Sequence, residues 1–240
     1  MKCLLNDCYF NNVRLHYREN MNNPSEKLRN MRLDLSPYLF HFTDSLETLL
    51  VILGECCLKS EKGYLCFTET PLCMMLPMLD YMSKTKKPIL GKYGIGFKRD
   101  ALIEKYGARS VMYCDFFEQF DIGQDIHWLY EELDVQNHDF QWLREWRVKD
   151  KFDFSEVDKN DMVIVVEKQK DIELCGYYVD NIQPYYDDDG NLFDADFDIK
   201  RLYRCVALDE LQNKIKEDVV GDYELMAIIE KEKLDEIIEM

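Results

Sequence analysis

Nowhere does this chain run to the roughly 18 consecutive apolar residues that a membrane-spanning helix needs. Its start, Met1 to Asp7, turns polar too soon for the apolar core of a signal peptide. A cytoplasmic protein is therefore expected. Cysteine pairs of the CxxC type are missing, and the nine cysteines are odd in number and scattered among only four histidines. A structural zinc site is not expected, and most cysteines read as small core residues in a reducing compartment. Glycine (10) and proline (6) are too scarce for low-complexity or collagen-like chain. Gly94-x-Gly96 lacks the third glycine of a dinucleotide-binding loop, and no GxxxxGK[ST] phosphate loop occurs, which removes both common routes to nucleotide binding. Positive charge is also short: 30 Lys and Arg face 47 Asp and Glu, for a net charge of −17. That balance argues against sequence-independent binding to a phosphate backbone. Lys84, Lys86, Lys87, Lys92, Lys98 and Arg99 are the one concentration of basic residues.

Apolar and aromatic residues are plentiful: 47% hydrophobic, with 15 Tyr and 13 Phe. A chain of 240 residues with that content can bury one sizeable core. The acidity is uneven, −14 over residues 151–240 against −3 over residues 1–150. Three parts follow: a loosely organised N-terminal segment, 1–36, with at most a short helix; a core, 37–170; and an acidic C-terminal extension packed on it, 171–240.

Within the core, Tyr38–Thr43 reads as a short buried strand. Asp44 with Glu47 then forms a capping box for a helix whose Leu46, Leu49, Leu50 and Leu53 make one apolar stripe, with Gly54 at its end. A second strand covers 63–68, and Pro71 opens a Leu/Met-rich helix in which the methionines fill core. Strands follow at 92–97, 110–114, 145–148 and 162–166, with helices from Asp100 to Gly107 and from Gln124 to Val135. The acidic stretch Tyr185–Asn191 departs from a calcium loop at both anchor positions and reads as a solvated turn. Helices are expected at 208–216 and near 225–229, with a Glu/Lys-rich helix after them. Short helices alternating irregularly with strands point to an α+β fold on a mixed or mostly antiparallel central sheet.

Breaking the nicotinamide–ribose bond of NAD builds oxocarbenium character on the ribose, so a carboxylate beside the ribose hydroxyls stabilises the transition state. Glu145 suits that role. Aromatic rings must hold the nicotinamide, for which Tyr64 and Phe67 are candidates. His41, the Phe42 backbone and the Thr43 hydroxyl, at a strand end beside a helix N-terminus, suit the ribose and the carboxamide. Each residue also has a plain structural role. His41 suits a hydrogen-bonded core histidine, Glu145 an ion pair with Arg144 or Arg147, and the aromatics suit core packing.

Five segments, Phe40–Thr43, Leu65–Leu72, Tyr93–Phe97, Gly107–Tyr113 and Arg144–Arg147, resemble the AbiGi family of abortive-infection (phage-resistance) proteins, over roughly residues 38–150. His41-Phe42-Thr43, the Gly63–Phe67 segment and Arg144–Val148 also resemble the ADP-ribosyltransferase superfamily of histidine–aromatic–glutamate type. Phe42 replaces the usual glycine of its His-Gly-Thr strand. The resemblance implies an ADP-ribosyltransferase-like sheet and NAD as substrate. Glu145 would be catalytic, with His41, Phe42, Thr43, Tyr64 and Phe67 around NAD; no metal is implied. The implied partner is a cognate toxin or antitoxin, or a protein target. A non-catalytic antitoxin or regulatory module, binding its partner through the acidic C-terminal part, is the other reading.

Overall fold

A computed structural model describes residues 32–82, 84, 90–115, 117–134, 139–187, 189–216 and 222–238. The loosely organised segment expected over 1–36 lies mostly outside them, as do Lys86 and Lys87 of the basic stretch.

The fold is a mixed α/β structure on a seven-stranded, mostly antiparallel sheet with short helices. Its strands are β1 (Tyr38–Thr43), β3 (Tyr64–Thr68), β4 (Tyr93–Lys98), β5 (Arg109–Ser110), β8 (Glu145–Lys149), β10 (Met162–Val166) and β13 (Cys205–Ala207). They lie in the order β13-β10-β4-β1-β3-β8-β5, and among the described residues β10 with β13 is the one parallel pair of this sheet. Small two-stranded pairs join β2 (Cys57–Leu58) to β9 (Phe152–Asp153) and β6 (Met112–Cys114) to β7 (Tyr130–Glu132). A longer antiparallel ribbon pairs β11 (Tyr177–Tyr186) with β12 (Leu192–Arg201).

Both faces of the sheet are covered, which is why β10 is an unbroken apolar run, all five residues buried. One face puts Leu39, Phe67, Ile95, Phe97 and Ile164 under helices α1 (Leu46–Glu55) and α3 (Arg99–Tyr106). The other packs Tyr38, Phe40, Val163 and Val165 against α2 (Leu72–Met82), α5 (Leu208–Lys216) and α6 (Asp222–Ile229). A four-residue helix, α4 (Ile172–Cys175), leads into the ribbon. Among the described residues no helix is long and apolar enough to cross a membrane.

Several sequence expectations need correction. Helix α1 is capped by Ser45, whose Oγ accepts from Thr48 N at 3.2 Å, and not by Asp44. Its left-handed C-terminal residue is Cys56 (φ 49°), not Gly54. The helix expected over 124–135 is a short 3-10 turn, His127–Leu129, followed by β7. Two carbonyls of that segment, Trp128 O and Tyr130 O, are taken by the Arg147 guanidinium, and Leu133 N bonds Cys114 O across the small pair. The expected Glu/Lys-rich terminal helix is absent through residue 238. Residues there pair with the base of the ribbon instead, Ile238 N to Ile199 O at 2.8 Å and Arg201 N to Glu236 O at 3.2 Å. The acidic turn at 185–191 is the tip of the ribbon, closed by Asp187 accepting from Asp189 N and Asn191 N.

Candidate functional site

The strands holding His41, the Tyr64/Phe67 pair and Glu145 are consecutive neighbours: β1, β3, β8. Alternation along β1 sends Leu39, His41 and Thr43 to one face and Tyr38, Phe40 and Phe42 to the other. Opposite Phe40 and Phe42 stand Gly96 and Gly94 of β4. A Cβ on Gly96 would lie 2.6 Å from the Phe40 ring, and one on Gly94 would lie 2.6 Å from the His41 carbonyl oxygen. The Gly-x-Gly of β4 therefore makes room for the aromatic side of β1.

β1 follows β4 residue by residue over six pairs, but its ladder with β3 carries one, Phe40↔Thr68. Past Phe40 the two strands part. His41 reaches into that parting: its Nδ1 donates to Cys66 O of β3 at 2.8 Å, supplying to the carbonyl what a ladder N–H would have given. A carbonyl only accepts, so the proton sits on Nδ1, and Nε2 is the acceptor nitrogen of the neutral ring. Burial holds the His41 pKa below its ordinary value, partly offset by the Cys66 bond. Its ring lies 5.6 Å from that of Phe67. Thr43, at the strand end, donates to Asp44 Oδ1 at 3.3 Å.

Glu145 opens β8. The residue before it, Arg144, is left-handed (φ 47°, ψ 56°) and swings the chain from the 3-10 turn Gln141–Leu143 into the strand. The Arg144 guanidinium is anchored to Asp34. Glu145 faces Arg147 two residues on, whose Nε donates to Oε1 at 2.7 Å, with only 11% and 3% of the two side chains exposed. Arg147 also donates to Trp128 O and Tyr130 O, each at 2.8 Å, and to Glu131, and it covers the Tyr64 ring at 4.2 Å. Burial works against the Arg147 cation, yet Glu145 and Glu131 overcome it and leave its pKa raised. Burial, and then the Glu145 carboxylate, also push up the nearby Tyr113 phenol, which donates to Phe140 O at 3.0 Å.

One rung of the sheet runs Phe40–Thr68–Glu145. The pleat therefore sets Glu145, Arg147, Tyr64 and Phe42 on one face and His41, Thr43, Phe67 and Trp146 on the other. His41 and Glu145 are two strand spacings apart, about 10 Å between backbones, and the end of the β1–β3 ladder, bridged by the His41 bond to Cys66, lies between them. The two aromatic candidates fare differently. Phe67 is buried edge-on to Phe97 and Phe152, a core residue. Tyr64 is half-buried with one ring face occupied by Arg147. Of the basic stretch, Lys92 pairs with Asp80 and Glu167, Lys98 with Asp161, and Arg99 with Glu69. Among the described residues no group of three or more His, Cys, Asp or Glu is placed to hold a metal ion.

Arg147 as the hub of this face, with Glu131 and Tyr113 around it, was not legible beyond its pairing with Glu145. Glu131 sits in a three-residue strand inside a stretch with helical spacing, and nothing in the sequence marks it. No protein-family model, curated protein or solved structure matches this chain.

Proposed function

We propose that the chain is an NAD-dependent, ADP-ribosyltransferase-like component of a phage-defence or toxin–antitoxin system that modifies a macromolecule. One observation carries this reading: the histidine, aromatic and glutamate strands are adjacent, and the ladder between the first two opens just where His41 stands. A ligand seated where the β1–β3 ladder ends would meet His41 from one face of the sheet and Glu145 from the other. The neutral Nε2 of His41 suits acceptance of a ribose hydroxyl proton. Glu145, fixed by Arg147, suits stabilisation of positive charge on the ribose as the C1′–nicotinamide bond breaks. Nicotinamide leaves with the bonding pair, and the acceptor nucleophile bonds C1′ and gives up its proton. Tyr64 offers stacking on the ring face away from Arg147, while burial takes Phe67 out of that role. Phe42, packed beside Gly94, contributes backbone only.

The test is nicotinamide release from NAD by the purified protein, with transfer to components of a cell lysate followed by labelled ADP-ribose. Glu145→Gln should lower the rate by about 10²-fold or more, and His41→Ala should act mainly on KM. Protein that releases no nicotinamide and labels nothing ends this reading.

The saturation of Arg147 and the low exposure of Glu145 favour a second reading, a non-catalytic antitoxin or regulatory module on the same fold. Expressed alone, an enzyme toxin slows growth in a Glu145-dependent way. A regulatory module does not.

A further inference from the structure

The β11–β12 ribbon leaves the body of the protein, and from Asn181 to Asp194 its described residues are exposed on both faces. The cross-strand pairs Asp180↔Asp198, Gln183↔Asp196 and Tyr185↔Asp194 define one face. That face and the tip carry Asp180, Asp187, Asp189, Asp194, Asp196 and Asp198. The opposite face is apolar. A bulge between Asp180 and Gln183, with Asn181 left-handed at φ 50°, sets Ile182 across from Phe197, and Val179 and Tyr186 extend the strip along β11. Val179, Ile182, Tyr186 and Phe197 are each more than half exposed.

A two-stranded ribbon of this length is marginal by itself in water, and a contiguous exposed apolar strip marks a contact surface. Charge selects the occupant. The ribbon's two cations are used at its base, Lys200 on Asp180 at 2.6 Å and Arg201 on Glu232. The aspartates lie within a Debye length of the apolar face, since the ribbon is one strand layer thick. A second copy of the chain would bring a like-charged arm against this one. A cationic partner is drawn in by the same field.

We propose that the ribbon is a docking arm for a basic protein partner, which lays an apolar strip across Val179, Ile182, Tyr186 and Phe197 and sets lysine and arginine side chains around the aspartates. The proposal does not depend on NAD chemistry: it holds for an enzyme and for a regulatory module alike.

The test uses the full chain and a labelled synthetic peptide of alternating lysine and valine, about 14 residues long so that it spans one ribbon strand. A peptide with glutamate in place of lysine is the control, and binding is read by fluorescence anisotropy. The lysine peptide should bind and the glutamate peptide should not. The variant Ile182→Asp/Phe197→Asp and the variant Asp194→Asn/Asp196→Asn/Asp198→Asn should each weaken binding by about tenfold or more. Raising salt from about 0.05 to 0.5 M should weaken the native protein more than the asparagine variant. Unchanged melting temperatures would show that these exposed substitutions leave the fold intact, and Glu145→Gln should bind as the native chain does. The idea is overturned by no binding of the lysine peptide or by either ribbon variant binding it as tightly as the native chain does. It is equally overturned by a native dimer in sedimentation that Ile182→Asp/Phe197→Asp dissociates, which would make the occupant a second copy.

Discussion

Arg147 donates through Nε to Glu145 at 2.7 Å from a position where its own side chain is almost entirely out of water. A cation so placed is tolerable because two carboxylates, two carbonyls and the Tyr64 ring surround it. Arg147→Met should therefore leave Glu145 without its counter-charge and cost about 3–5 kcal/mol in urea unfolding. Arg147→Lys should also destabilise, because a point charge cannot reach both carbonyls and both carboxylates at once. Glu145→Gln added to Arg147→Met should recover part of the loss. A single Arg147→Met variant as stable as the native chain would mean that the pair is not buried as described.

His41 gives the fold a distinct acid sensitivity. In the unfolded chain it takes up a proton near pH 6.5, whereas burial in the folded chain delays this to lower pH. Below about pH 6.5 the unfolded state holds more protons, so stability falls as pH drops until folded His41 protonates too. Above that window His41 contributes no slope. Urea unfolding at pH 7, 6 and 5 should show this decline in the native protein and lose part of it in His41→Gln. A folded-state NMR titration of His41 at or above its ordinary value would contradict the expected direction.

Arg144 holds the left-handed turn that delivers Glu145 to the head of its strand. Arg144→Gly trades backbone strain of about 1 kcal/mol against a surface ion pair with Asp34 worth no more than that, so stability should stay nearly unchanged. Arg144→Val places a β-branched residue at φ 47° and should cost about 1–3 kcal/mol. Thermal unfolding of the two variants separates backbone conformation from charge: the reverse ranking would show that the ion pair dominates.

What the sequence revealed and what it hid divide along physical lines. The strands 38–43 and 162–166 were legible because β-branched and aromatic runs buried on both faces have little alternative, and Gly107 marked a helix end that its φ of 70° bears out. The span 124–135 misled because apolar residues at helical spacing say nothing about who takes the backbone carbonyls, and Arg147, far along the chain, takes two of them. The opposite-face placement of His41 and Glu145 depends on the register Phe40↔Thr68↔Glu145, and no local pattern encodes a register across three strands. The ribbon was hidden for a related reason. Alternation of apolar residues with Asp194, Asp196 and Asp198 gives β12 two faces by itself, but the bulge between Asp180 and Gln183 breaks that period in β11, so only the pairing shows which β11 residues join each face.

Two glycines should respond to the same substitution with opposite signs. At Gly94 an added Cβ would meet the His41 carbonyl oxygen at 2.6 Å and the Phe42 ring at 3.0 Å. The first of these is backbone in the centre of the sheet and has nowhere to go, since β1 is fixed to β4 along its whole length. Gly94→Ala should therefore cost about 1–3 kcal/mol, the penalty of overpacking. Because the displaced atoms belong to His41, the same change should also disturb the Nδ1 bond to Cys66 and move the His41 NMR titration. At Gly54, within α1, an added Cβ meets nothing within 4 Å. There alanine removes unfolded-state freedom and improves helix propensity, so Gly54→Ala should stabilise by about 0.5–1 kcal/mol and leave His41 unmoved. Urea unfolding of both variants beside the native chain decides the matter. Equal responses would mean that β1 and β4 can separate at Gly94.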